Sequence, residues 1–188
     1  MPGTDAELVR RVLAGDLRSF TGLVGRYEAA LLRYATSIVG DGDDAADVVQ
    51  DAFIKAYRNL PAYNVRRPFS PWIYRIVRNE ALNWLRHHRR VVTGEAAGAY
   101  LALQPAQGMS AHEAVEYDET VELLRAGLAS LPLSYREPLL LYYVEGKQYA
   151  EIGDILRIPE GTVATRIRRG KAKLKVMVAQ RDEVNDAA

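Results

Sequence analysis

Apolar residues recur along this chain at spacings of three and four, the period of a helix, and nowhere alternate as a strand would. The first such run, from about Asp5 to Leu13, is closed by Gly15-Asp16. The second covers roughly Leu17 to Val39 and repeats Phe20, Leu23, Tyr27, Leu31, Tyr34 and Ile38 along one stripe. Gly40-Asp41-Gly42-Asp43 is a turn, and Asp43 or Asp44 is placed to cap a third helix from about Asp44 to Leu60. Its inward face is Val49, Phe53, Ala56, Tyr57 and Leu60, and its outward face is Asp47, Gln50, Asp51, Ile54 and Arg58. Prolines at 61, 68 and 71 exclude a helix between them, and Pro71 suits the first turn of a fourth helix reaching about Arg90. That helix carries an apolar stripe of Ile73, Ile76, Val77 and Trp84, with Arg75, Arg78, Asn79, Arg86 and Arg89 on its polar side.

The period dissolves between Val91 and about Met109, where alanine and glycine dominate. Helices resume near Ser110 and run to Leu131, where Pro132 interrupts; another follows from about Ser134 to Glu145 and stops at Gly146. The expected fold is therefore all-α: two small helical domains, residues 1–92 and 113–180, joined by a flexible linker over 93–112 and followed by a tail over 181–188.

The segment from Gln148 to Val178 is the most informative. A short helix, Tyr149 to Leu156, offers Ile152, Ile155 and Leu156 to a core. Arg157-Ile158-Pro159-Glu160 is long enough only for a tight turn, and a second helix from near Gly161 packs Val163, Ile167 and Leu174. Two helices joined so closely, the second basic, form a helix-turn-helix pattern. Its outward positions are Thr162, Thr165, Arg166, Arg169 and Lys173, the first four near the end that enters a major groove in this motif. Arg166 and Arg169 have the reach to pair with guanine or to hold phosphates. The bland alternative is a solvated amphipathic helix that caps the domain.

A formal net charge of only +1 looks too low for a nucleic-acid binder until its distribution is followed. Acids cluster at Asp41 to Asp51 and Glu113 to Glu122, and bases at Arg66 to Arg90 and Arg166 to Lys175. The chain has no cysteine, which excludes disulfides and thiolate metal sites and fits a reducing cytoplasm. Charges at Asp5, Glu7, Arg10, Arg11, Asp16 and Arg18 exclude a signal peptide or a membrane span at the start.

Between Tyr63 and Arg90, aromatics (Tyr63, Phe69, Trp72, Tyr74, Trp84) alternate with arginines and with Asn79 and Asn83. Aromatic faces stack on unpaired bases and arginines hold the backbone, a composition suited to single-stranded or locally opened DNA. Trp84, Tyr27 and Tyr57 sit on apolar faces and read as core, while Phe69 and Trp72 equally suit packing the loop down. His87 and His88 lack partner ligands, so no metal site is expected. Asp43-Asp44-Ala45-Ala46-Asp47 matches a DDxxD magnesium–diphosphate motif, but no second acidic cluster faces it, and it lacks the glycine of a calcium loop. As a cap and first-turn acids the same residues need no metal.

In this order the parts resemble a bacterial sigma factor of the extracytoplasmic-function (ECF) type, over about Leu8 to Val178. Asp44 to Tyr57 is similar to the family's core-polymerase-binding segment, and Phe69 to Asn79 to its −10-element segment. Leu131-Pro132, Tyr143 to Gly146, Tyr149 to Ile152 and Ile158 to Val163 are similar to its −35-reading module. The resemblance implies that Asp47, Gln50, Asp51, Ile54 and Arg58 dock on core RNA polymerase. It implies that Tyr63, Arg67, Phe69, Arg75, Arg78, Asn79, Asn83 and Arg86 engage the −10 strand, with a base flipped out. Thr162, Thr165, Arg166, Arg169 and Lys173 would contact the −35 duplex.

The resemblance further implies no cofactor, no catalytic residue, an anti-sigma partner and a cytoplasmic protein whose chemistry belongs to the polymerase. Four positions depart from the family pattern: Asn83 for a frequent Asp, Arg157 for a common Gly, Ala164 for Lys or Arg, and Gly170 for a small helix former. An αL turn at Arg157 would cost about 1 kcal/mol. The competing readings are an autonomous helix-turn-helix regulator, which leaves the acidic face without a purpose, and a magnesium-dependent diphosphate enzyme.

Overall fold

The computed structural model describes residues 3–88 and 126–185, and within them every regular element is helical. The first module comprises α1 (Asp5–Leu13), α2 (Arg18–Val39), α3 (Gly42–Asn59), a 3-10 turn (Leu60–Ala62) and α4 (Phe69–His88). A short helical stretch over residues 126–130 leads into the second, formed by α5 (Leu133–Tyr143), α6 (Tyr149–Leu156) and α7 (Glu160–Asn185). The expected linker, the start of the helix expected near Ser110, and Arg89 lie outside the described residues. The last helix runs through residues that the sequence assigned to a tail.

Local chemistry sets the helix ends. Thr4 and Glu7 close a capping box on α1, each side chain taking the other's backbone N–H. The cap of α3 is Asp41, not Asp43 or Asp44: Asp41 is extended, and its carboxylate accepts from the N–H groups of Asp43 and Asp44 at 2.9 and 3.1 Å. Asp43 and Asp44 then lie in the first turn, where negative charge opposes the helix dipole. Their acidity is thus accounted for by the helix start.

Leu23, Leu31, Tyr34, Ile38, Leu60, Ile73 and Tyr74 are wholly buried in the first module, and Leu131, Leu140, Leu141, Ile152 and Ile155 in the second. Each such Leu or Ile contributes roughly 1.5–3 kcal/mol on leaving water. Tyr57, assigned to the core by its spacing, is 42% exposed and lies edge-on to Phe20 at 5.2 Å. The two modules are in contact. α6 lies on α4 and α5 lies against α2, so one continuous apolar core spans both.

Candidate nucleic-acid and docking surfaces

The helix-turn-helix is held by an unusual turn. Arg157 closes α6 with φ 55° and ψ 48°, the one non-glycine residue with positive φ among the described residues. This is where the sequence departs from a glycine, and the left-handed conformation there is real. The Ile158 N–H donates to the Gly153 carbonyl at 3.1 Å, and the Val163 N–H to that of Pro159 at 3.1 Å. Gly153 permits the closure: a Cβ there would stand 2.9 Å from the Ile158 carbonyl oxygen. Sequence reasoning passed over Gly153, because a lone glycine inside a short helical pattern has no signature of its own. Gly170 plays the same part between α5 and α7, with Leu139 and Tyr135 directly against the missing Cβ.

Val163 and Ile167 of α7 are buried on Ile152, Ile155 and Leu156, as their spacing predicts. The opposite side presents Arg169 and Lys173 openly, with Thr162, Thr165 and Arg166 half-buried at the N-terminal end. The Thr165 hydroxyl donates to the Gly161 carbonyl one turn back, at 2.9 Å. Lys173 lies 5.9 Å above the Tyr135 ring.

In the first module, Tyr63, Phe69, Trp72 and Tyr27 form a ring cluster with centroids 4.8–5.7 Å apart. Phe69 is only 3% exposed in it, so this side chain packs the loop down; Tyr63 and Trp72 stay half-exposed. The Tyr63 hydroxyl donates to the Arg67 carbonyl, which closes the loop and leaves the Arg67 guanidinium outside. Burial pushes the Tyr63 phenol above its ordinary range, aided by the charge of Asp5. Along α4, Arg75, Asn79, Asn83 and Arg86 share one stripe, and Arg86 donates to the Asn83 side-chain oxygen. Trp84, read as core, is half-exposed, and the His88 ring stacks on it at 4.1 Å.

Arg78 is different. Its guanidinium forks onto Glu137 of α5 at 2.7 and 3.1 Å. Arg33 of α2 forks likewise onto Glu145, just beyond α5, at 3.0 and 3.2 Å. Tyr34 donates to Glu137 and Tyr74 to Glu145, both at 2.8 Å. Burial raises both phenols, Tyr34 and Tyr74, well above the usual tyrosine value, and the facing carboxylates raise them further.

The third surface lies between α2 and α3. Asp47, Gln50, Asp51, Ile54 and Arg58 are all exposed, and Ile54 is 43% open to solvent. Gln50, Ile54 and Arg58 edge an open groove of about 800 Å³ whose apolar wall includes Phe20, Val24, Phe53 and Tyr57. The outward polar stripe was legible in the sequence, but the groove was not. Phe20 and Tyr57 have helical core spacing, yet both line this open groove.

A helical protein of two modules, one a helix-turn-helix and the other built around an aromatic–arginine helix beside an open groove, is the class that this geometry defines. Residues 23–91 match sigma-70 region 2 and residues 122–174 match sigma-70 region 4. The chain is 32% identical to the ECF RNA polymerase sigma factor SigW of Bacillus subtilis, over 89% of this chain and 92% of that one. It is 34% identical to the ECF RNA polymerase sigma-E factor of Escherichia coli K12, over 89% and 91%. CnrH, solved in complex with the cytosolic domain of CnrY, superposes with a TM-score of 0.69 at 26% identity, covering 94% of this chain and 97% of CnrH. The chain belongs to the sigma-70 family and, within it, to the ECF sigma factors. No helix among the described residues is long and apolar enough to cross a membrane.

Proposed function

We infer that this chain directs core RNA polymerase to particular promoters and helps to open their −10 region, contributing placement and strand separation while the polymerase supplies the chemistry. The observation that carries the reading is the pairing of a region 2 module and a region 4 helix-turn-helix on one chain. The groove between α2 and α3 is the polymerase-docking surface: it offers an apolar floor edged by Gln50, Ile54 and Arg58, with Asp47 and Asp51 on the same exposed stripe. Bulky side chains of a partner helix would fill it, as helix-in-groove docking requires.

Tyr63, Arg67, Arg75, Arg78, Asn79, Asn83 and Arg86 take the opened −10 strand, with Phe69 as the buried floor beneath Tyr63. Thr162, Thr165, Arg166, Arg169 and Lys173 take the −35 duplex. The half-buried Thr162, Thr165 and Arg166 stand at the N-terminal end of α7, so they suit base-edge contacts, and the exposed Arg169 and Lys173 suit phosphates. Ala164 carries no polar atom toward the groove. The protein acts in the cytoplasm and is restrained by an anti-sigma partner, a reading supported by the likeness to CnrH held by CnrY.

Run-off transcription tests the assignment. Purified chain added to core polymerase should start transcription from a cognate promoter, and failure at every candidate promoter would overturn it. Tight duplex binding by the chain alone would favour an autonomous regulator.

A further inference from the structure

Beside the shared apolar core, the two modules meet through polar contacts that are buried and matched in charge. Glu137 and Glu145 come from the second module, and their side chains are each only 3% exposed. Each accepts a two-pronged arginine and a tyrosine hydroxyl, and every one of those partners belongs to the first module. Arg136 donates to the Ser37 carbonyl at 2.8 Å, and Lys147 donates to Ser70 at 2.8 Å while lying 4.6 Å over the Tyr74 ring. The left-handed turn at Gly146 (φ 63°) delivers Glu145 and Lys147 to this seam. A buried carboxylate needs such partners or it does not remain ionised and buried.

We propose that the free chain latches itself shut through Glu137 on Arg78 and Glu145 on Arg33, with Glu137 occupying Arg78 as an anionic stand-in for a nucleic-acid backbone. Arginine forks bind carboxylate and phosphate with the same geometry, so polyanion and latch compete for the same groups. The charged groups of the seam also regain water when it opens, which offsets part of the loss of their mutual contacts.

The latch rests on the promoter reading for its consequence. The −10 and −35 elements lie about 25 base pairs apart, roughly 85 Å at about 3.4 Å per step. α6 in direct contact with α4 cannot span that distance, so the latched chain cannot read both elements. Polymerase binding would hold the modules apart, and Arg78 would then be free for the strand.

The chain has no cysteine, so Ala14→Cys with Ala172→Cys places one spin-label pair on exposed sites of the full-length protein, one in each module. Pulsed dipolar distances should form one narrow population in the free protein and a longer, broad one in the Glu137→Gln, Glu145→Gln variant. Affinity for a single-stranded −10 oligonucleotide should rise about tenfold or more, because apparent affinity scales with the open fraction. Tyr34→Phe with Tyr74→Phe removes one hydrogen bond from each carboxylate and should open the chain partly. This milder pair keeps the test decisive if the glutamine variant does not fold.

A broad distribution in the unaltered protein, or a narrow one that neither variant changes, overturns the latch. Opening without tighter oligonucleotide binding overturns the withholding of Arg78. Run-off transcription by the unaltered chain keeps the two readings separable. Normal initiation with unchanged distances refutes the latch alone, and changed distances without initiation refute the promoter role alone.

Discussion

Replacing Arg157 by glycine should make the protein more stable. The residue sits at φ 55°, ψ 48°, where a Cβ crowds the following carbonyl, and a left-handed non-glycine residue costs roughly 1–2 kcal/mol. Glycine removes that crowding but adds freedom to the unfolded chain, worth about 0.4–1 kcal/mol in the other direction. The exposed Arg157 side chain makes no hydrogen bond that offsets the loss, so the net gain is about 0.5–1 kcal/mol. For a cooperative unit of this size each kcal/mol moves the midpoint by about 2–4 °C, so Tm should rise by about 1–4 °C. Thermal and urea unfolding followed by circular dichroism measure it, with Arg157→Ala as the control that keeps the Cβ. If alanine stabilises as much as glycine, or glycine lowers Tm, backbone strain is not what distinguishes this turn.

Gly153→Ala should act in the opposite sense on the same turn. Its Cβ would meet the Ile158 carbonyl at 2.9 Å, an overpacking cost of about 1–3 kcal/mol. About 1 kcal/mol of helix propensity offsets part of this, and a lowered urea midpoint checks the balance. Ile54→Glu puts a charge on the rim of the docking groove at a 43% exposed position; folding stability should stay within about 0.5 kcal/mol of the parent while affinity for core polymerase falls more than about tenfold, read by fluorescence anisotropy. Alkaline titration should separate the tyrosines. Tyr34 and Tyr74 have folded values raised by burial, so their contribution is complete below the free-phenol value of about 10 and erodes as pH climbs through the folded values. These two should form phenolate only as the helices melt; reversible ionisation of all eleven tyrosines near pH 10 with ellipticity unchanged would contradict their burial.

The bounds of α1 and α6 were legible to the residue, because both have cap chemistry and a clean apolar period. The misplaced cap of α3 has a simple origin. Asp41, Asp43 and Asp44 are equally good capping residues by type, and only the extended backbone at Asp41 decides among them. Phe69 and Trp72 were open to two readings, and burial separated them: Phe69 went inside while Trp72 stayed at the surface. Tyr57 was assigned inward from periodicity, which locates a face but not whether a neighbouring helix covers it.

Local pattern determined the helical class, the two modules, the helix-turn-helix and the exposed stripe of α3, since each is a matter of spacing within one element. The strain at Arg157 was signalled by the family resemblance alone, which has a common glycine at that position. Glu137, Arg33 and Lys147 raised no signal and Tyr34 read only as part of an apolar stripe, because nothing within their own segments marks them as partners. Their roles come from groups 59 to 112 residues away in sequence, brought together only when α5 and α6 settle on α2 and α4. Long-range charge pairing leaves no period to read, and in this protein it sets Arg78 of the first module on a carboxylate of the second.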